Sequence, residues 1–144
     1  MSDVSTSGNA WKTIRASLVI AGVQVFAGLL LALASSNGFI NRETMLRSAM
    51  VVVGLGLAAV ANMIPKRPDG PPPPTLQLAA LRQSVLRTAG RAMMVGGLLF
   101  AGLWAFAPLD VAQIGAVVAL GVSMALGLSR VTWWIFASHR SPRR

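Results

Sequence analysis

Four long apolar stretches, at residues 16–35, 44–64, 92–107 and 111–136, constrain this chain more than any other feature. A bilayer crossing takes about 20 apolar residues in a helix. Inside hydrocarbon every backbone N–H and C=O must be paired within the structure, so such segments are helices. Only 12% of the residues are charged, against roughly 25% in soluble domains. That is too little charge to coat a globule in water. The expected fold is therefore all-α, an integral membrane bundle of four transmembrane helices with a short amphipathic cytoplasmic helix.

The 144 residues leave no room for a second folded domain. Residues 1–10, rich in Ser, Gly and Asn, read as a disordered N-terminal tail. Residues 11–136 form the four-helix transmembrane domain, with a cytoplasmic loop at 65–91, and residues 137–144 are a basic C-terminal tail. The first apolar stretch exceeds the ~7–15 residues of a signal-peptide core. Ala32-Leu33-Ala34 keeps a cleavage site as the lesser alternative.

Local chemistry sets the boundaries. Asn37-Gly38 is a turn signal, Asn41 and Glu43 suit a helix start, and Pro65 ends the second span. The prolines at 71–74 predict a stiff, extended connector. Beyond it, Leu78, Leu81, Val85 and Ala89 recur at helical spacing while Arg82 and Arg87 lie elsewhere on the wheel. This is the amphipathic helix, expected to lie on the membrane surface and to lead into the third span. Pro108-Leu109-Asp110 predicts a sharp turn, with Asp110 and Gln113 spaced as a capping box.

The basic residues define topology. Lys12 and Arg15, then Lys66, Arg67, Arg82, Arg87 and Arg91, then Arg140, Arg143 and Arg144 all fall on one side of an alternating four-span chain. Arg42 and Arg47 fall on the other, against Glu43 and Asp110. The positive-inside rule puts both termini in the cytoplasm. The net charge of +9 is spread along membrane flanks and forms no basic domain with interleaved aromatics, which argues against nucleic acid and for an anionic leaflet.

Catalytic chemistry is absent from the spans, none of which has Asp, Glu, His or Lys in its central part. There is no cysteine, and the single His139 lies in the tail, so no metal site, cofactor or enzymatic activity is expected. Ser123 has no base to activate it and reads as a packing hydroxyl. Gln24, near the middle of the first span, reads as an intramembrane polar contact between helices. Arg47 and Arg130 read as snorkelling cations, Arg130 with the alternative of holding a lipid headgroup. Gly54, Gly56, Gly90, Gly96 and Gly97 supply close helix packing.

Around the central loop the chain resembles the SdpI immunity-protein family, small bacterial multi-span membrane proteins. The resemblance rests on Asn62-Met63-Ile64-Pro65-Lys66, then Pro68-Asp69-Gly70, then Arg87-Thr88-Ala89-Gly90-Arg91 before Gly96-Gly97, and spans roughly residues 45–134. Ala61 and Asp69 depart from the family's usual Gly and Asn, and the proline run replaces an Arg-Thr-Pro-Trp segment. The resemblance implies a bacterial inner-membrane protein of immunity or signalling, acting through a protein partner. Its candidate partner or lipid contacts are Asn62, Lys66, Arg67, Arg82, Arg87 and Arg91, with Arg130. The alternatives are an accessory subunit of a larger membrane complex and, less favoured, a small-solute channel or carrier.

Overall fold

The structure is a computed structural model that describes residues 3–66 and 75–140. Among them the chain is helical, with four long helices: α1 (Asp3–Ser36), α2 (Arg42–Met63), α3 (Leu76–Phe106) and α4 (Leu109–Arg140). A single 3₁₀ turn, Ile64–Lys66, follows α2. All four helices are long and apolar enough to cross a membrane.

The helix ends follow from local chemistry. α1 closes in a Schellman motif, where Gly38 takes φ +76° and Phe39 N–H donates to Ala34 O at 2.9 Å while Gly38 N–H donates to Ser35 O at 3.1 Å. Asn41 caps α2 by accepting from Thr44 N–H at 2.7 Å. Pro65 has no N–H to continue the helix, so α2 ends in the 3₁₀ turn. Thr75 caps α3 through Leu78 N–H at 3.3 Å.

Three expectations are corrected. The segment at 75–90 forms no separate surface helix: it is the first half of α3, which runs unbroken into the membrane stretch because no proline interrupts it after Thr75. Helical backbone also begins at Asp3, within the stretch read as a disordered tail. Extending an existing helix needs no new nucleus, so weak formers at its end can join it. Asp110 is the second residue of α4 and sits within its first turn, where its charge meets the positive helix end, instead of capping it. Arg67 and the connector at 68–74 lie outside the described residues, as do residues 141–144 of the basic tail.

The helices pack antiparallel in chain order, α1 on α2, α2 on α3 and α3 on α4. Among the described residues α1 approaches no other helix, so the bundle is an open row rather than a closed square. α2 and α3 meet through glycine. A methyl group at Gly97 would lie 2.8 Å from Ala58 N, and one at Gly54 would lie 2.8 Å from Ala101 N. α3 meets α4 where Gly96 faces Ser123, whose hydroxyl donates to Ala119 O at 2.7 Å. Close approach of this kind is how helices gain contact in lipid, where no hydrophobic effect draws them together.

The buried cluster lies at the end bearing the α3–α4 turn: Phe100, Trp104, Ala112 and Ala116, flanked by Leu46 and Met50 of α2. The outward surface stays apolar. Val19, Phe26 and Leu33 on α1 and Ile114, Val117 and Leu126 on α4 are all more than half exposed. Apolar surface of this extent needs hydrocarbon or a partner against it.

Candidate functional site: a cationic cleft at the basic end

At the end opposite the buried cluster, the last turn of α2 and its 3₁₀ extension lean on the first half of α3. Gly90 makes the approach possible. A methyl group there would lie 2.9 Å from Pro65 Cδ and 3.0 Å from Ala61 O. Gln83, two turns earlier on α3, donates from Nε2 to Pro65 O at 3.1 Å. Gln83 thus satisfies the Pro65 carbonyl at the end of α2, and the exposed Asn62 side chain stands on the cleft wall.

Between these elements lies a cleft of about 340 Å³, walled by Asn62 and Lys66 on one side and by Gln83, Arg87 and Arg91 on the other. Gly90 forms its floor and Met94 its inner end. Arg87 and Arg91 are four residues apart and so stand on one face of α3. The cleft lining carries three cations and no carboxylate. Lys66, Arg87 and Arg91 are exposed and make no hydrogen bond or ion pair among the described residues. Asp69, the acid nearest in sequence, lies outside those residues.

The fold thus brings Asn62, Lys66, Arg87 and Arg91 together around Gly90, although α2 and α3 supply them from either side of the connector. It leaves two candidates out. Arg82 is on α3 but does not line the cleft, and Arg130 is exposed on α4 near the exposed Trp133. Gln83 is the residue that sequence reasoning missed. Its position one turn before Arg87 was available as a signal, but its partner, the Pro65 carbonyl, was not.

Gln24 makes the expected contact between helices. Its Nε2 donates to Val52 O at 3.4 Å, and its amide rests on Gly56, where any Cβ would collide with it. Beside it runs an apolar groove of about 200 Å³ lined by Gln24, Val60, Ile64 and Met93.

Arg47 departs from expectation. Its guanidinium donates from Nη1 to Ala107 O at 2.7 Å and to Trp104 O at 3.3 Å, and from Nε to Glu43 Oε1 at 2.9 Å. The side chain therefore closes the C-terminal end of α3 instead of reaching for headgroups, because the last carbonyls of a helix offer fixed acceptors and negative partial charge. Nearby, the buried indole N–H of Trp104 has no hydrogen-bond partner among the described residues.

Among the described residues no cluster of His, Cys, Asp or Glu could hold a metal ion. The chain matches no protein-family model, no curated protein and no solved structure.

Proposed function

We propose that this chain is a non-enzymatic bacterial inner-membrane protein of the SdpI-like immunity or signalling kind. It has both termini in the cytoplasm and acts by binding a protein partner at its basic end. The observation that carries this reading is the cleft, where residues from two sequence-distant motifs converge and whose three cations make no ion pair among the described residues. Uncompensated charge held in a fixed frame suits recognition of an anionic group, since its attraction is spent on the ligand and not on an internal partner. The spans offer no matching set of acid, base and nucleophile.

The test is site-specific photo-cross-linking in the native membrane from position 66, at the cleft rim, compared with position 117 on the exposed face of α4. A discrete protein adduct formed from 66 and absent from 117 supports the reading. Adducts of equal yield from both positions, or none from 66, overturn it.

A second reading, an accessory subunit of a larger membrane complex, draws on α1. Among the described residues that helix packs on α2 alone, and Gly22 and Gly28 have nothing within 4 Å of where a side chain would begin. Purification in mild detergent discriminates: a stoichiometric large complex favours the subunit reading.

A further inference from the structure

We propose that the cleft between α2 and α3 is a phosphate site whose occupant is the headgroup of an anionic glycerophospholipid from the surrounding leaflet. The inference goes beyond the partner reading and stands without it, since a protein docking on the basic end meets the cleft with its lipid in place.

The lining is graded along α3. Gln83 comes first, then Arg87, then Gly90 and Arg91, and Met94 last. From Gln83 to Met94 the helix rises about 16 Å, so the lining runs from the Gln83 amide past the two guanidiniums to the apolar Met94, with Pro65 and Ala61 packed on Gly90 between them. The uncharged apolar run of α3 begins at Ala92, so Met94 lies within it, whereas Gln83, Arg87 and Arg91 precede it beside the last turn of α2. A ligand seated here has an anion at the membrane boundary and hydrocarbon below it. That is the layout of a phospholipid, and a free phosphate would leave the apolar end empty.

The donor set fits a phosphate. Two guanidiniums one turn apart and a lysine ammonium offer forked and single donors to several oxygens, and charge-assisted bonds of this type are the strong ones. The Asn62 amide adds a neutral donor on the facing wall. With three cations and no lining carboxylate, a net anionic headgroup is preferred over phosphatidylcholine, whose choline ammonium would enter the same positive field.

The experiment uses the purified full chain in neutral detergent micelles and a phosphatidylglycerol carrying a fluorophore on one acyl chain. Saturable binding is expected, displaced by dihexanoyl phosphatidylglycerol and far less by dihexanoyl phosphatidylcholine. Lys66→Gln, Arg87→Gln and Arg91→Gln together should weaken binding about tenfold or more, since each well-placed charge contributes to headgroup attraction. Arg15→Gln, outside the cleft, should change it less than twofold. Met94→Trp, which fills the apolar end and leaves every charge in place, should weaken lipid binding and spare any binding of inorganic phosphate. If the triple variant does not fold, a steep fall in wild-type affinity with added salt together with the Met94→Trp loss carries the same weight. The proposal is overturned if the triple variant binds within twofold of wild type, or if Arg15→Gln loses as much as it does. Inorganic phosphate displacing the lipid at equal concentration would also overturn the lipid as source. Lipid binding that fails while the cross-link from position 66 persists would sink this proposal and leave the partner reading intact.

Discussion

Arg47 Nη1 donates to Ala107 O across 2.7 Å, joining the first turns of α2 to the C-terminal end of α3. Glu43, one turn earlier on α2, holds the guanidinium from the other side at 2.9 Å. The pair differ in worth. Arg47 is 24% exposed and its bonds reach a second helix, whereas Glu43 is 58% exposed and makes an ion pair along its own helix. Arg47→Gln should lower stability in detergent by about 2 kcal/mol, the range for hydrogen bonds to a charged group. Glu43→Gln should cost less than about 1 kcal/mol, as exposed pairs do. Denaturant titration of the two purified variants checks the order, and equal losses would refute the cap.

Gly97 and Gly54 define the α2–α3 seam, and the atoms facing them are largely backbone, which cannot step aside. Gly97→Ala should destabilise by about 1–3 kcal/mol, as overpacking does, and Gly97→Leu should reduce folded yield sharply. Gly102 and Gly121 have nothing within 4 Å of a new methyl group. Alanine at either should be neutral or stabilise by up to about 1 kcal/mol through helix propensity. Thermal denaturation in detergent reads both classes.

The Gln24 contact to Val52 is long, at 3.4 Å. Gln24→Leu should therefore cost only about 0.6 kcal/mol, the average measured for hydrogen bonds between membrane helices. Gly56→Ala should cost about as little, because its new methyl group meets only the far end of the flexible Gln24 side chain, which can swing aside and give up the same bond. A loss from Gly56→Ala well above that from Gln24→Leu, measured by protease sensitivity of the α1–α2 turn, would show that the side chain cannot yield.

Features local in sequence were legible in it: the four apolar helices, the turn at Gly38, the Asn41 cap and the small-residue seam at Gly54 and Gly97. What could not be read depended on partners distant along the chain. Arg47 meets a carbonyl 60 residues away, and Gln83 meets one 18 residues away. From sequence, Arg47 read as a snorkelling side chain and Gln83 drew no reading. The break expected near residue 91 failed for another reason. An amphipathic pattern and an apolar one can share a single helix when nothing between them removes a backbone bond, and Gly90 is held in α3 by its packing on Pro65. The convergence of Asn62, Lys66, Arg87 and Arg91 was legible as a motif pattern. The graded lining from Gln83 to Met94 required the fold.

The basic end should face the cytoplasm. Reporter fusions after Arg144 and within the turn at Leu109 should give cytoplasmic and periplasmic signals respectively, because basic residues collect on the side of the termini. Opposite signals would overturn the orientation.

The recognition role of the cleft is tested most directly by removing equal charge inside and outside it. Lys66→Ala with Arg87→Ala takes two cations from the cleft, and Arg15→Ala with Arg130→Ala takes two from helix flanks elsewhere. The measurement is the yield of the protein cross-link from a photoreactive residue at position 62, normalised to protein in the membrane. The first double variant should lose the cross-link at unchanged membrane yield, and the second should keep it. A cleft variant that cross-links as well as the parent chain would contradict recognition at this site.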